Sequence, residues 1–236
     1  MLDRRQLFGA VGAGLACSAV PAAAQHADKK HEGTGPLAAP HLHFCGIHMV
    51  KKNPKLQFVA HHFCTAHTGH KDGDLFQCVL YDGTGADARL IGVEYVISDA
   101  AYRKLPEEEK KYWHAHTYEV LGGWLVAPGM PEKEEGEFMN ALLTTWGKAW
   151  HTWPDLTADL PTGEPLLMWS LMGDGQTDEK VLAARDKELK VDSAKISAAR
   201  VKAIGYQPPN VALPKDGNAV GRQWTDSGDD KPTKAK

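Results

Sequence analysis

The chain has 236 residues, 42% of them apolar, and its 27 basic and 30 acidic side chains leave a net charge of −3. That composition supports one core of ordinary size and excludes nucleic acid as a partner, since no basic field dominates. No apolar run approaching ~18 residues occurs after the first segment, so no transmembrane segment is expected once that segment is removed.

Residues 1–24 read as an export signal. Arg4-Arg5 precede a weakly apolar stretch from Leu7 to Val20, and Ala22-Ala23-Ala24 suit a signal peptidase. The arginine pair followed by Gln6-Leu7-Phe8 resembles a bacterial twin-arginine signal, which carries folded cargo and predicts a periplasmic or secreted protein. Removal takes two of the 27 basic and one of the 30 acidic residues and leaves a net charge of −4. Residues 25–40 are polar and rich in Gly and Pro, as a flexible leader is, and residues 207–236 read as an extended or disordered tail. Residues 41–206 are left for a single domain.

Within that domain, the stretch from Gln57 to Cys64 reads as a short strand, "LFQCVLY" from Leu75 to Tyr81 as a buried one, and "RLIGVEYVI" from Arg89 to Ile97 as the next. Asp82-Gly83 supplies turn chemistry between the last two, and the three suit an antiparallel meander. Ser98 or Asp99 caps a short helix, and Pro106 opens another with acids first and lysines later. Thr117 to Ala127 is expected to be a strand ending at Pro128-Gly129. Glu132 to Trp150 is expected to be one long helix, with Phe138, Leu142, Leu143, Trp146 and Trp150 on its apolar face. Leu166 to Leu171 follows as a late strand, and Asp178 to Leu189 and Ser193 to Ile204 as two helices, the second stopped by Gly205. The expected fold class is α+β: a mainly antiparallel sheet with packed helices and an extended C-terminal tail.

Ten of the 12 histidines fall between positions 41 and 151. They group as "HLHFCGIH" (His41, His43, His48), "HHFCTAHTGH" (His61, His62, His67, His70) and "HAH" (His114, His116), with His151 apart. Strand alternation points His114 and His116 the same way, about 7 Å apart along the backbone, close enough for two imidazoles to meet one ion. His62 and Cys64 share a face for the same reason. The candidate metal ligands are therefore His62, His114 and His116, completed by His48, Cys64 or Glu119. Imidazole with thiolate suits zinc or copper. In a regular strand Glu119 falls on the face opposite His116 and becomes a ligand only if the chain turns there. Glu94 is a rival carboxylate, set in an apolar strand where an unpaired charge is costly. Cys45, Cys64 and Cys78 are an odd number in an oxidising compartment, so at most one disulfide forms within the domain. Cys78 reads as core filler. His-x-His with a later glutamate is a loose likeness to the cupin metal motif, but the second histidine motif is missing downstream of Pro128-Gly129. No covalent-haem CxxCH, nucleophile elbow, P-loop or dinucleotide fingerprint is present.

"AHHFC", "QCVLYD", "ARLIGVEYVI", "LPEEEKKYWHAHTYEV" and "DGQ" closely resemble the oil-body-associated protein family, in order over residues 41–204. The matching positions include His48, His62, Cys64, Cys78, Tyr81, Glu94, Trp113, His114, His116 and Glu119. The resemblance implies an α+β domain and, from the plant members, association with the surface of seed lipid droplets. A non-catalytic protein binding a lipid surface or an envelope partner is thus the alternative to a metal-binding protein or metalloenzyme. The export signal is a departure from the plant members.

Overall fold

A computed structural model describes residues 42–67 and 75–213, with 215 and 217. The expected export signal and leader, His41, His70 and the tail from residue 218 lie outside the described residues.

The strands are β1 (Leu42–Val50), β2 (Asn53–His67), β3 (Leu75–Tyr81), β4 (Leu90–Ser98), the two-residue β5 (His114–Ala115), β6 (Thr145–His151) and β7 (Leu166–Ser170). They pair in the order β4-β3-β2-β1-β7-β6, and β4 pairs β6 to close the ring. Every pairing is antiparallel. This corrects the α+β expectation: the fold is a closed six-stranded antiparallel barrel with few short helices. Closure pairs the edges that an open sheet would leave exposed.

Two misread segments account for the difference. The stretch expected as one helix from Glu132 to Trp150 is a helix, α4 (Glu132–Leu142), followed by β6. Trp146 and Trp150 share a face at helical spacing, but they also share a face in a strand, because they are four residues apart. As a strand, β6 turns both tryptophans outward, where Trp146 stacks on Tyr102 at 3.4 Å between ring centres and donates from Nε1 to Asp99. Gly147, Ala149 and His151 then face inward. The second misreading is Thr117 to Ala127, which begins as a helical turn, α3 (Thr117–Leu121).

The interior follows from the register. Cys64, Cys78, Glu94, Ala149, Met168 and Val50 form one run of successively paired positions across the six strands. Leu42, Phe44, Ala60, Phe76 and Leu80 fill the same interior beside Val120, Leu121 and Leu125, with Phe138, Met139 and Leu142 of α4 completing the cluster. Cys64 and Cys78, directly opposed on β2 and β3, form a disulfide. This corrects two expectations: Cys64 offers no thiolate to a metal, and Cys78 is a cross-link as well as core filler. Cys45 is the free cysteine among the described residues and is fully buried.

Outside the barrel, α1 (Asp99–Tyr102) is capped by Ser98, and α2 (Glu107–Lys110) follows Pro106. Helices α5 (Glu179–Leu189) and α6 (Ser193–Ile204) form where their signals predicted, each opened by an aspartate accepting from a backbone N–H: Asp178 from Lys180, Asp192 from Lys195. Gly205 ends α6 at a φ of 82°, a left-handed value that favours glycine. Val181 and Leu182 of α5 cover Ile47 and Met49 on the outer face of β1.

Candidate metal centre

Glu94 projects from β4 into the barrel and is 1% exposed. Four histidines surround it, each through Nε2. His62 of β2 lies 2.7 Å from Oε2 and His48 of β1 lies 3.5 Å from the same oxygen. His114 of β5 lies 3.3 Å from Oε1, and His116, just beyond β5, lies 3.5 Å from it. His48 and His62 are 3.2 Å apart at Nε2. Ligands held about 2.0–2.1 Å from a tetrahedral ion stand roughly 3.3 Å from one another, so these separations are those of a coordination shell.

Partners behind two of the rings fix which nitrogen carries the proton. His62 Nδ1 lies 3.0 Å from the carbonyl oxygen of Ala60. His116 Nδ1 lies 2.7 Å from Thr145 Oγ1, whose own hydroxyl donates to the Leu142 carbonyl at 2.8 Å. In both histidines Nδ1–H is the donor, which leaves a lone pair on Nε2 aimed at the Glu94 carboxylate. Such backing of a histidine's distal nitrogen is the usual arrangement behind a metal ligand.

Electrostatics sharpen the geometry. Burial lowers the pKa of His62, and it lowers that of His114 to about 4, so both rings are neutral at neutral pH. Burial alone would raise the Glu94 carboxyl, but the four surrounding histidines hold it well below the usual range. Those bonds need an N–H turned to the carboxylate; where His62 and His116 turn a lone pair to it instead, a proton or a cation has to lie between. Glu119 behaves oppositely: burial, then the Glu94 charge, holds it protonated well above the usual range.

The chain does turn after His116, as Glu119 required. His116 sits at φ −85°, ψ −1° and leads into α3, which brings Glu119 Oε1 to 3.8 Å from His116 Nε2. His48, His62, His114, His116 and Glu119 therefore come together, and Cys64 does not join them. His61 and His43 face outward, where His43 Nε2 meets His61 Nδ1 at 3.2 Å. His67 pairs with Gln77 at the end of β2.

A model of the family described as "Protein of unknown function (DUF1264)" matches residues 34–204. Oil body-associated protein 1A of Zea mays is 36% identical over 192 residues, which cover 81% of this chain and 78% of that protein. Oil body-associated protein 1B of Arabidopsis thaliana is 38% identical over 157 residues, 66% of this chain and 64% of that protein. The chain thus spans just under two thirds of the Arabidopsis relative's length. Oil body-associated protein 2A of Zea mays is 35% identical over 185 residues, 75% of this chain and 71% of that protein. The chain belongs to the oil-body-associated protein family. No solved structure matches it.

Three residues of this oil-body-associated family member serve the site without a signal in the sequence. His151 of β6 is fully buried, with Nε2 3.0 Å from His48 Nδ1. Thr145 backs His116, as above. Gly147 makes the room: a Cβ there would collide with the Glu94 carboxylate and stand 2.7 Å from Nε2 of both His114 and His116. Only a residue without a side chain lets β6 pass this close to the cluster.

Proposed function

We propose that this protein binds a transition-metal ion inside its barrel, through Glu94 with His48, His62, His114 and His116. One observation carries the reading. His62 Nε2 and Glu94 Oε2 are 2.7 Å apart, while the ring's other nitrogen is engaged by the Ala60 carbonyl. A neutral imidazole has one N–H and cannot donate to both oxygens. A proton on the ring is opposed by burial, and a proton on Glu94 runs against the direction in which its histidine neighbours shift it. A cation between the Nε2 lone pair and the carboxylate removes the conflict. It also compensates a carboxylate buried beside the neutral rings of His62 and His114.

With Cys64 in a disulfide, the donor set is nitrogen and oxygen. Zinc and copper(II) suit imidazole with carboxylate. A zinc ion with one position left to water would lower that water's pKa to about 7, the basis for a hydrolytic metalloenzyme. Elemental analysis of protein purified without a histidine tag tests the reading. At least one equivalent of zinc or copper is expected in the wild type, and less in His62→Ala than in the wild type. Below about a tenth of an equivalent after refolding with either metal, the reading fails.

The relatives' names support a second reading, binding to a lipid surface. Leu90, Val93 and Tyr95 of β4 are 49%, 37% and 42% exposed on the barrel wall. Cosedimentation with phospholipid vesicles at low salt is the expected result, unchanged in His114→Ala, and absence of cosedimentation contradicts it. Export through the twin-arginine signal is likewise proposed from residues 1–24. A cleaved chain in the periplasmic fraction, seen by intact mass, supports it, and an uncleaved cytoplasmic chain opposes it.

A further inference from the structure

The Glu94 carboxylate is divided between two pairs of histidines. Its Oε2 faces His62 and His48 of the β1–β2 wall at 2.7 and 3.5 Å, and those two rings are 3.2 Å apart at Nε2. Its Oε1 faces His114 and His116, at 3.3 and 3.5 Å. In each half, two imidazole nitrogens and one carboxylate oxygen lie within 4.8 Å of one another.

We propose that the cluster holds two divalent transition-metal ions bridged by Glu94, one in each half, rather than a single ion among all four histidines. The proposal rests on the metal-binding reading above and deepens it.

The first half has the right size by itself. A triangle with sides of 2.7, 3.2 and 3.5 Å accepts an ion about 2 Å from every corner, slightly out of the plane of the three donors. The second half has its own need for an ion. His114 is buried, and neither of its nitrogens meets hydrogen-bond geometry among the described residues. An ion held at Nε2 would join that ring to Glu94 Oε1, 3.3 Å away. A carboxylate whose two oxygens serve two ions suits the roughly 3.5–4 Å separation of two-metal sites.

Charge supplies the remaining constraint. Two dications against one carboxylate would leave a large positive charge in a buried site. Glu119 Oε1, 3.8 Å from His116 Nε2, brings a second carboxyl group beside the His114–His116 half. A hydroxide or a small oxyanion bridging the two ions would take up most of the rest.

The stoichiometry of the full chain, loaded with zinc and with cobalt(II) and freed of excess metal, decides the matter. Two equivalents per chain are expected in the wild type. One equivalent is expected in each of His62→Ala and His114→Ala, since each removes one half and leaves the other. One equivalent in the wild type overturns the pair of ions while the metal-binding reading stands; none overturns both. Should an alanine variant fail to fold by circular dichroism, His62→Gln and His114→Gln replace it, and the wild-type ratio decides by itself.

Discussion

His61 and His62 are adjacent on β2 and equally buried, at 0% and 1% exposure, yet they belong to different parts of the molecule. His61 faces out, between His43 and Glu188 of α5, whose Oε1 is 3.4 Å from its Nε2. His62 faces in, against Glu94 and His48. The outer cluster ends at a carboxylate that is 48% exposed, so solvent shares its charge. The inner cluster ends at a carboxylate 2% exposed, with lone pairs turned toward it. Residue type and burial are the same, and the difference is made by strand alternation, which sends consecutive side chains to opposite faces. Burial by itself marks neither residue as functional. What separates them is whether the proton bookkeeping of the neighbours can be completed without a cation.

The largest expected effect breaks the comparison outright. His62→Ala should lower metal affinity by more than about 100-fold, since it deletes a ligand and not merely the partner behind one. His61→Ala should leave it within a factor of a few. Equal losses in the two variants, measured by competition with a chelator, would mean that inside and outside are not distinct.

The inner wall also carries the cross-link. Cys64–Cys78 closes a sequence separation of 14 residues, and removing both sulfurs should lower stability by about 3 kcal/mol. Urea denaturation of the Cys64→Ala/Cys78→Ala protein measures this. On the outer side of β1, Cys45 is buried and its thiol is pushed up to about 12, so it should resist alkylation at pH 8 until the protein unfolds.

A subtler difference lies in the residues behind each cluster. Thr145→Val keeps the shape but withdraws the oxygen that accepts from His116 Nδ1, and metal affinity should fall by about 10–100-fold. Glu188→Gln withdraws the corresponding partner of His61 and should leave metal affinity unchanged. Isothermal titration calorimetry compares the two.

Acid acts on both walls at once. His114 is held at about 4 by burial against an ordinary 6.5, and His43 on the outer wall is also lowered to about 4, again chiefly by burial. Between those values the unfolded chain binds protons that the folded chain does not. The metal-free protein should therefore lose stability as pH falls from 6.5 toward 4. His43→Gln should remove the outer share of that loss and leave the inner one. A urea midpoint that is flat over this range would contradict both assignments.

Much of this was legible along the chain. The runs of β3 and β4, the two late helices and the stop at Gly205 gave local signals that the fold obeys. The barrel was not legible. Its closure depends on β1, read only as a histidine cluster, and on β6, where Trp146 and Trp150 satisfy helix and strand spacing alike. Among the site residues, His62, His114 and His116 were marked by period-two spacing, and His48 and Glu119 entered as completing ligands. Glu94 stood out as a charge in an apolar strand, but its place at the centre emerges only when β4 pairs β3 and β6. Three cysteines permitted one bridge without naming it, and the pairing of β2 with β3 chose Cys64 and Cys78. Gly147, Thr145 and His151 had no signal, because what they accommodate or touch lies 29 to 103 residues away in sequence, except for Thr145's bond to Leu142.

Anomalous diffraction at the zinc and copper edges, from crystals of tag-free protein, tests the central claim most directly. An anomalous peak is expected about 2.0–2.3 Å from a Glu94 oxygen and from histidine Nε2 atoms inside the barrel. No peak after soaking with either metal, with His62 still in contact with Glu94 and nothing between them, would contradict it.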